Sequence, residues 1–157
     1  YSYTTNKKES MIAFYKTVVM NYLLKNGDAH LKNFGLLYDD DFKNIFYSPV
    51  YDVVNTVVYI HKDKPALMLE GKKIWHSRDT LIKFGQKSCL LSQSEAKQYY
   101  KECYEALIWA IDELEEYLSE HPDFKIGKMM LDSWKLSLKE ESIKELSDDI
   151  IRTWKNY

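Results

Sequence analysis

Residues Asn26 to Asp52 read N-G-D-A-H-L-K-N-F-G-L-L-Y-D-D-D-F-K-N-I-F-Y-S-P-V-Y-D, and this stretch decides how the chain is interpreted. Asp28 precedes Asn33 by five positions, the separation of the catalytic Asp and the metal-binding Asn in the kinase catalytic loop. A second acid, Asp52, follows a predicted β-hairpin. An Asp carboxylate can take the proton of an attacking hydroxyl, and Asn and Asp oxygens suit Mg²⁺. The stretch therefore predicts a phosphoryl-transfer site with Asp28 as base and with Asn33 and Asp52 as ligands of Mg²⁺ on ATP.

Each of these residues also has a purely structural interpretation. Asn-Gly-Asp is a common turn, so Asp28 could simply follow the end of a helix, and Asp52 could cap the next turn. His30 is titratable near neutrality and could move protons, but packing beneath the loop with a hydrogen bond to the backbone is favoured. Lys32 could neutralise a phosphate in the transition state or be an exposed loop lysine. The combined motif favours catalysis at Asp28, with Asn33 and Asp52 in support.

The surroundings of the motif resemble one family. The segments D-A-H-L-K-N-F-G-L-L and S-P-V-Y-D are similar to the catalytic core of the HipA family of bacterial serine/threonine kinases. Residues 65–72, P-A-L-M-L-E-G-K, look like the apolar strand and Gly-Lys turn of that family. This resemblance implies a kinase that uses ATP and Mg²⁺, with Asp28, His30 and Lys32 in catalytic positions and Asn33 and Asp52 as metal and nucleotide ligands.

The resemblance also implies a biological setting. It points to the toxin of a toxin–antitoxin module, with a helix-turn-helix antitoxin like HipB as partner and an aminoacyl-tRNA synthetase as protein substrate. Nucleic acid would be reached only through the antitoxin. Inactivation by autophosphorylation would use a serine loop in the N-terminal part of such proteins.

Composition narrows the class of protein. A chain of 157 residues with 45% hydrophobic residues fits one domain covering 1–157. The net charge of −2 disfavours direct binding to nucleic acid, which usually requires a basic surface. Cys89 and Cys103 lack metal-binding spacing, and without a signal peptide they indicate reduced core thiols in a cytoplasmic protein. No apolar run is long enough to cross a membrane.

Hydrophobic spacing predicts a mostly α, α+β fold. A helix covers Met11 to Lys25, preceded by an Asn6–Glu9 capping box and stopped by Gly27 in the left-handed conformation. A second capping box at Ser92 opens a long helix that runs to about Glu120. The other predicted elements are strands Phe34–Tyr38, Lys43–Tyr47, Val57–Ile60 and Ala66–Leu69, a helix Arg78–Phe84 ended by Gly85, a helix from Ile126 to Leu138, and a last helix from Ser142 to Trp154. With the resemblance, this layout predicts the C-terminal lobe of a kinase-like fold, a helical bundle whose small hairpin insert carries the catalytic loop.

The parts of a kinase that hold the nucleotide are not recognisable in the sequence. The chain has five glycines, and none forms a clustered Gly-rich loop. We therefore expect the N-terminal lobe to be absent, and residues 1–157 alone to bind ATP poorly and to transfer little phosphate. Two rival functions remain open. One is a small-molecule kinase of the aminoglycoside-phosphotransferase type, which usually has His before the catalytic Asp; the other is a non-catalytic, kinase-shaped binding module.

Overall fold

The computed structural model describes residues 3–60 and 62–154, with side chains described as far as residue 139. Four helices dominate it: α1 (Lys7–Leu23), α2 (Arg78–Ser88), α3 (Gln93–Glu120) and α4 (Lys125–Trp154). The described strands are β1 (Leu36–Tyr38) and β2 (Ile45–Tyr47), which pair antiparallel. Two short 3₁₀ helices cover Leu31–Asn33 and Thr56–Val58. The prediction of a mostly helical fold with a small hairpin near its front is confirmed.

Helix α1 begins where its capping box predicts and ends differently. The Asn6 side chain accepts a hydrogen bond from the Glu9 amide, which satisfies one of the free donors of the first turn. At the other end, Lys25 has φ 58° and the Asn26 amide donates to the Asn21 carbonyl at 2.8 Å. This is a Schellman-type ending, so the left-handed residue is Lys25. The prediction that Gly27 fills this role is wrong.

Helix α3 is the centre of the domain, because α1, α2 and α4 all pack against it. Its Ser92 capping box is formed in both directions with Glu95, as predicted. Leu107 is fully buried on its core face, and Tyr15 of α1 donates its hydroxyl to the Ala96 carbonyl at 3.0 Å. The Tyr15 ring is buried and its hydroxyl has a hydrogen-bond partner, and together these contacts fix α1 against α3.

Gly85 lies inside α2 and does not end it. The helix continues to Ser88 and brings the Gly85 backbone against α1 and α3. A Cβ on Gly85 would lie 2.7 Å from Cε2 of Tyr15 and 3.1 Å from Cβ of Ala96. The glycine is therefore explained by close packing between helices, and the prediction that it stops the helix is wrong.

Replacing Gly85 by Ala should lower the free energy of unfolding. Alanine gains up to about 1 kcal/mol of helix propensity over glycine, but overpacking a core costs about 1–3 kcal/mol. Overpacking should win, because Tyr15 is fully buried and its hydroxyl is held by Ala96. Urea unfolding would measure the difference. Lys83→Ala, at an exposed position of the same helix, is the control and should change little. A Gly85→Ala protein more stable than wild type would contradict the packing argument.

Three further predicted elements are wrong. Residues 57–60 lie in a 3₁₀ turn that begins at Thr56, and residues 66–69 form no strand apart from a single bridge between Leu69 and Lys72. Both runs are apolar and short, and neither has a partner strand in the described sheet. The predicted separate helix from Ser142 is part of α4, because no Gly or Pro interrupts good helix formers after Leu138.

Cys89 and Cys103 are both free and buried, as predicted. Burial raises the pKa of the Cys103 thiol to about 11, so the thiol stays protonated and unreactive near neutral pH. Within the described residues, none of the helices is both long and apolar enough to span a membrane.

Candidate active site

Asn33 is held in one orientation by the loop that contains it. It ends the 3₁₀ helix Leu31–Asn33 between α1 and β1, and only 7% of its surface is exposed. Its Oδ1 accepts a hydrogen bond from the His30 amide at 3.1 Å. Its Nδ2 donates to Oδ2 of Asp52 at 2.7 Å. The Asn33 amide is therefore fixed from both sides, and it faces the second acid.

The hairpin accounts for the approach of Asp52 to Asn33. Leu36 pairs with Tyr47, and the Ser48 amide donates to the Gly35 carbonyl at 3.0 Å, so the chain returns beside its starting point. The Tyr51 hydroxyl then donates to the Lys32 carbonyl. This predicted return of the chain is thus present, although the two residues are 19 positions apart.

Aromatic packing anchors the base of the hairpin on α1. The Phe14 ring lies with its centroid 5.6 Å from Phe34, 5.9 Å from Tyr47 and 6.0 Å from Phe84. Such edge-on and tilted contacts are favourable beyond simple burial. The loop before β1 and the exit from β2 are therefore attached to one rigid helix.

Asp52 adopts a backbone conformation that few residues tolerate. Its φ is 57°, in the left-handed region. Aspartate and asparagine enter this region more easily than other residues that carry a Cβ. Outliers of this kind cluster at functional sites, where the surrounding structure holds them. The side chain is exposed on one side and in contact with buried Asn33 on the other.

Asp28 presents its carboxylate to solvent. Its amide donates to Oδ1 of Asn26 at 3.1 Å, and its carbonyl accepts from the His30 amide at 2.7 Å. Among the described residues the carboxylate makes no hydrogen bond or ion pair. The backbone of Asp28 is therefore fixed while its carboxylate stays open to solvent.

Asn26 is the site residue that sequence reasoning missed. Only 2% of its surface is exposed, and its Nδ2 donates to Oδ1 of Asn21 at 2.8 Å and to the Asp52 carbonyl at 3.5 Å. Its Oδ1 accepts from the Asp28 amide. One side chain thus joins the segments that carry both acids. The local signal was the Asx turn, in which an Asn side chain bonds the amide two residues later.

His30 and Lys32 contribute through their main chains. The His30 ring is partly buried, and its Nδ1 has no hydrogen-bond partner within the described part of the chain. Lys32 is exposed, and its ammonium group forms no salt bridge with any described residue. Neither side chain is drawn toward the Asn33–Asp52 pair, so their predicted chemical roles stay predictions.

The oxygens of Asn33 and Asp52 suit a cation that is also coordinated by oxygens from outside the protein. In the described residues, no three His, Cys, Asp or Glu side chains converge on one point. Asn33 Oδ1 keeps a lone pair after bonding the His30 amide, and the second carboxylate oxygen of Asp52 is unshared. Mg²⁺ is commonly held by one or two protein oxygens together with phosphates and waters. The residues present therefore fit magnesium bound to a nucleotide.

An apolar cavity of about 210 Å³ lies beneath the loop that carries Asp28. It is bounded by α1, the loop, Phe84 of α2 and residues 65–69. The lining residues with polar side-chain groups are Asn21, Tyr22 and Asn26, and the amides of Asn21 and Asn26 already bond each other. The lining of this cavity includes no cationic side chain that could hold a phosphate group.

Comparisons with known proteins identify a family and two relatives. A family model described as "HipA-like C-terminal domain" matches residues 1–111. Two proteins of Sinorhizobium fredii (strain NBRC 101917 / NGR234) are similar over a short stretch. They carry the names "Putative kinase Y4dM", 38% identical over 55 residues, and "Putative kinase Y4mE", 38% identical over 56 residues. The aligned stretches cover 35% and 36% of this chain and 13% of each relative.

Proposed function

The chain belongs to the HipA-like C-terminal domain family, and from this premise we propose that it is the catalytic lobe of an ATP-dependent serine/threonine protein kinase. The observation that carries the proposal is the contact between Asn33 Nδ2 and Asp52 Oδ2 at 2.7 Å. This bond runs from an amide N–H to a carboxylate, and it brings two residues that each carry a hard oxygen, distant in the sequence, together beside the loop that displays Asp28. The names of the two rhizobial relatives support the same reaction class.

Each residue has a distinct role in this proposal. Asp28 accepts the proton of the substrate hydroxyl and orients its oxygen for in-line attack. Asn33 and Asp52 would hold Mg²⁺ on ATP, and the bound metal would supply charge stabilisation at the phosphate oxygens. In this proposal Lys32, which is exposed, adds positive charge when the phosphates are bound, and His30 supports the loop through its amide.

The family resemblance extends the proposal to substrate and partner. We propose a protein substrate of the aminoacyl-tRNA synthetase type and a helix-turn-helix antitoxin as partner. We also propose that the Gly-rich, nucleotide-covering part of the kinase is supplied outside residues 1–157, because the five glycines here form no such loop. The isolated chain is then expected to be inactive.

A phosphoryl-transfer assay on the full-length protein tests the proposal. With ATP labelled at the γ-phosphate, label should pass to serine or threonine of a protein acceptor, or of the kinase itself. Transfer should require Mg²⁺ and stop with EDTA, because one amide and one carboxylate cannot position ATP alone. Label found only on aminoglycosides or other small molecules would favour the small-molecule kinase instead. ATP binding without any transfer would favour a non-catalytic module.

A further inference from the structure

A second set of hydrogen bonds holds the catalytic loop from below. Thr56, four residues after Asp52, is only 6% exposed. Its Oγ1 accepts a hydrogen bond from the Gly27 amide at 2.7 Å, immediately before Asp28. Its own amide donates to the Lys25 carbonyl at 3.2 Å. The segment that contains Asp52 is therefore also hydrogen-bonded to the loop that contains Asp28.

The Thr56 hydroxyl is itself polarised by a carboxylate. Its single proton faces Oδ2 of Asp63, with the Lys25 carbonyl 3.2 Å away as a weaker alternative. Asp63 is anchored in turn, because its amide donates to the Ile60 carbonyl at 3.2 Å and its carbonyl accepts from Nε1 of Trp75 at 3.1 Å. A chain thus runs from the Gly27 amide through Thr56 to a charged acceptor, and bonds in such a chain strengthen one another.

Gly27 is the residue that allows this closure. A Cβ at position 27 would collide with the Asp63 carboxylate and come within 2.8 Å of Oγ1 of Thr56. Gly27 does not have a positive φ, so conformational freedom does not explain it. The lack of a side chain does, because it lets Thr56 and Asp63 reach the backbone next to Asp28.

We propose that Thr56 and Asp63 are positioning residues for Asp28, acting through the amide of Gly27. This inference rests on the proposed kinase function, since it concerns how the base is held. Asn26 fixes the two acid-bearing segments to each other on one side. We call the pair of Thr56 and Asp63 the clasp. It fixes the same two segments on the other side, so the spacing of Asp28 and Asp52 is set both by Asn26 and by the clasp.

The test compares Thr56→Val with Thr56→Ser in the full-length protein. Valine keeps the shape and loses the hydroxyl, and misplacement of a catalytic group costs about 10-fold to 100-fold in kcat. We expect that loss in Thr56→Val with KM for ATP little changed, and near wild-type kcat in Thr56→Ser. Thr17→Val is the matched control, because Thr17 is as buried but bonds only within α1 and toward Tyr47. It should leave kcat unchanged.

Hydrogen exchange at the Gly27 amide gives a readout that does not depend on activity. The amide should exchange at least about 10-fold faster in Thr56→Val than in wild type, and Thr56→Ser should restore protection. Equal exchange in wild type and Thr56→Val would overturn the clasp. Faster exchange with unchanged kcat would overturn its positioning role. If the wild-type protein transfers no phosphate, the proposed function fails, and exchange alone then decides whether the clasp exists.

Discussion

Asp28→Asn in the full-length protein is expected to lower kcat for phosphoryl transfer by about 10²-fold to 10⁴-fold, the usual contribution of a general base. The amide keeps the size of the side chain and cannot accept the proton of the substrate hydroxyl. The fold should be unaffected, because the carboxylate is exposed and makes no bond within the described part of the chain. Initial rates with labelled ATP would measure the loss, and circular dichroism would check the fold.

Asp52→Asn should abolish transfer for a different reason, with a different signature. Asparagine retains the tolerance for φ 57° and can still meet Asn33, so the loop should keep its shape. The negative charge facing the cation is lost, and activity should recover only in part when Mg²⁺ is raised. Asp28→Asn should show no such recovery.

A third Asp→Asn replacement is the control for both acids. Asp40 is exposed at the tip of the hairpin, away from the site, and Asp40→Asn should leave kcat and the Mg²⁺ requirement unchanged. Activity within a few-fold of wild type in Asp28→Asn or in Asp52→Asn would refute the role assigned to that residue.

Asn26→Ala should damage both activity and stability. It removes the side chain that joins the Asp28 amide to the Asp52 carbonyl, and loss of this alignment should lower kcat by about 10²-fold. It also leaves Oδ1 of Asn21 and the Asp28 amide without their partner, at a cost of about 1–3 kcal/mol in the free energy of unfolding. Steady-state kinetics and urea unfolding would measure the two effects.

Asn44→Ala is the matched control for Asn26. The Asn44 amide also holds a turn, through a 2.6 Å hydrogen bond to Oδ2 of Asp39, but it is exposed at the hairpin tip. Its loss should leave kcat unchanged. If Asn26→Ala keeps wild-type kcat at a temperature where it is fully folded, Asn26 does not align the acids.

Local sequence patterns were enough to predict the supports of the site. The capping boxes at Asn6 and Ser92 locate the starts of α1 and α3, because a cap is formed by residues three positions apart. The hairpin could be predicted from two apolar runs around an acidic turn, and its geometry returns Asp52 to Asn33. These features depend on neighbours in the sequence.

The residues that fix the loop could not be predicted in this way. Asn26 contacts the Asp52 segment across 26 positions, and Gly27 contacts Thr56 across 29. No periodicity or turn rule connects positions so far apart. The strand predicted at residues 57–60 is wrong for the same reason, because strand formation also depends on distant residues. β-branched residues favour strands only where another strand is available to pair. Here Thr56 bonds to Lys25 and Gly27, next to Asp28, instead.

The bond between Tyr15 and Ala96 spans 81 positions, and it has a consequence for how the protein is made. Helix α1 leads into the loop that carries Asp28, yet its buried face is covered by a helix that emerges from the ribosome much later. Until α3 has been synthesised, the nascent chain cannot bury Tyr15, and the helix that precedes the Asp28 loop is not packed against α3. Translation must therefore pass the part of α3 that contacts α1, from Ala96 to Cys103, before Tyr15 can be buried.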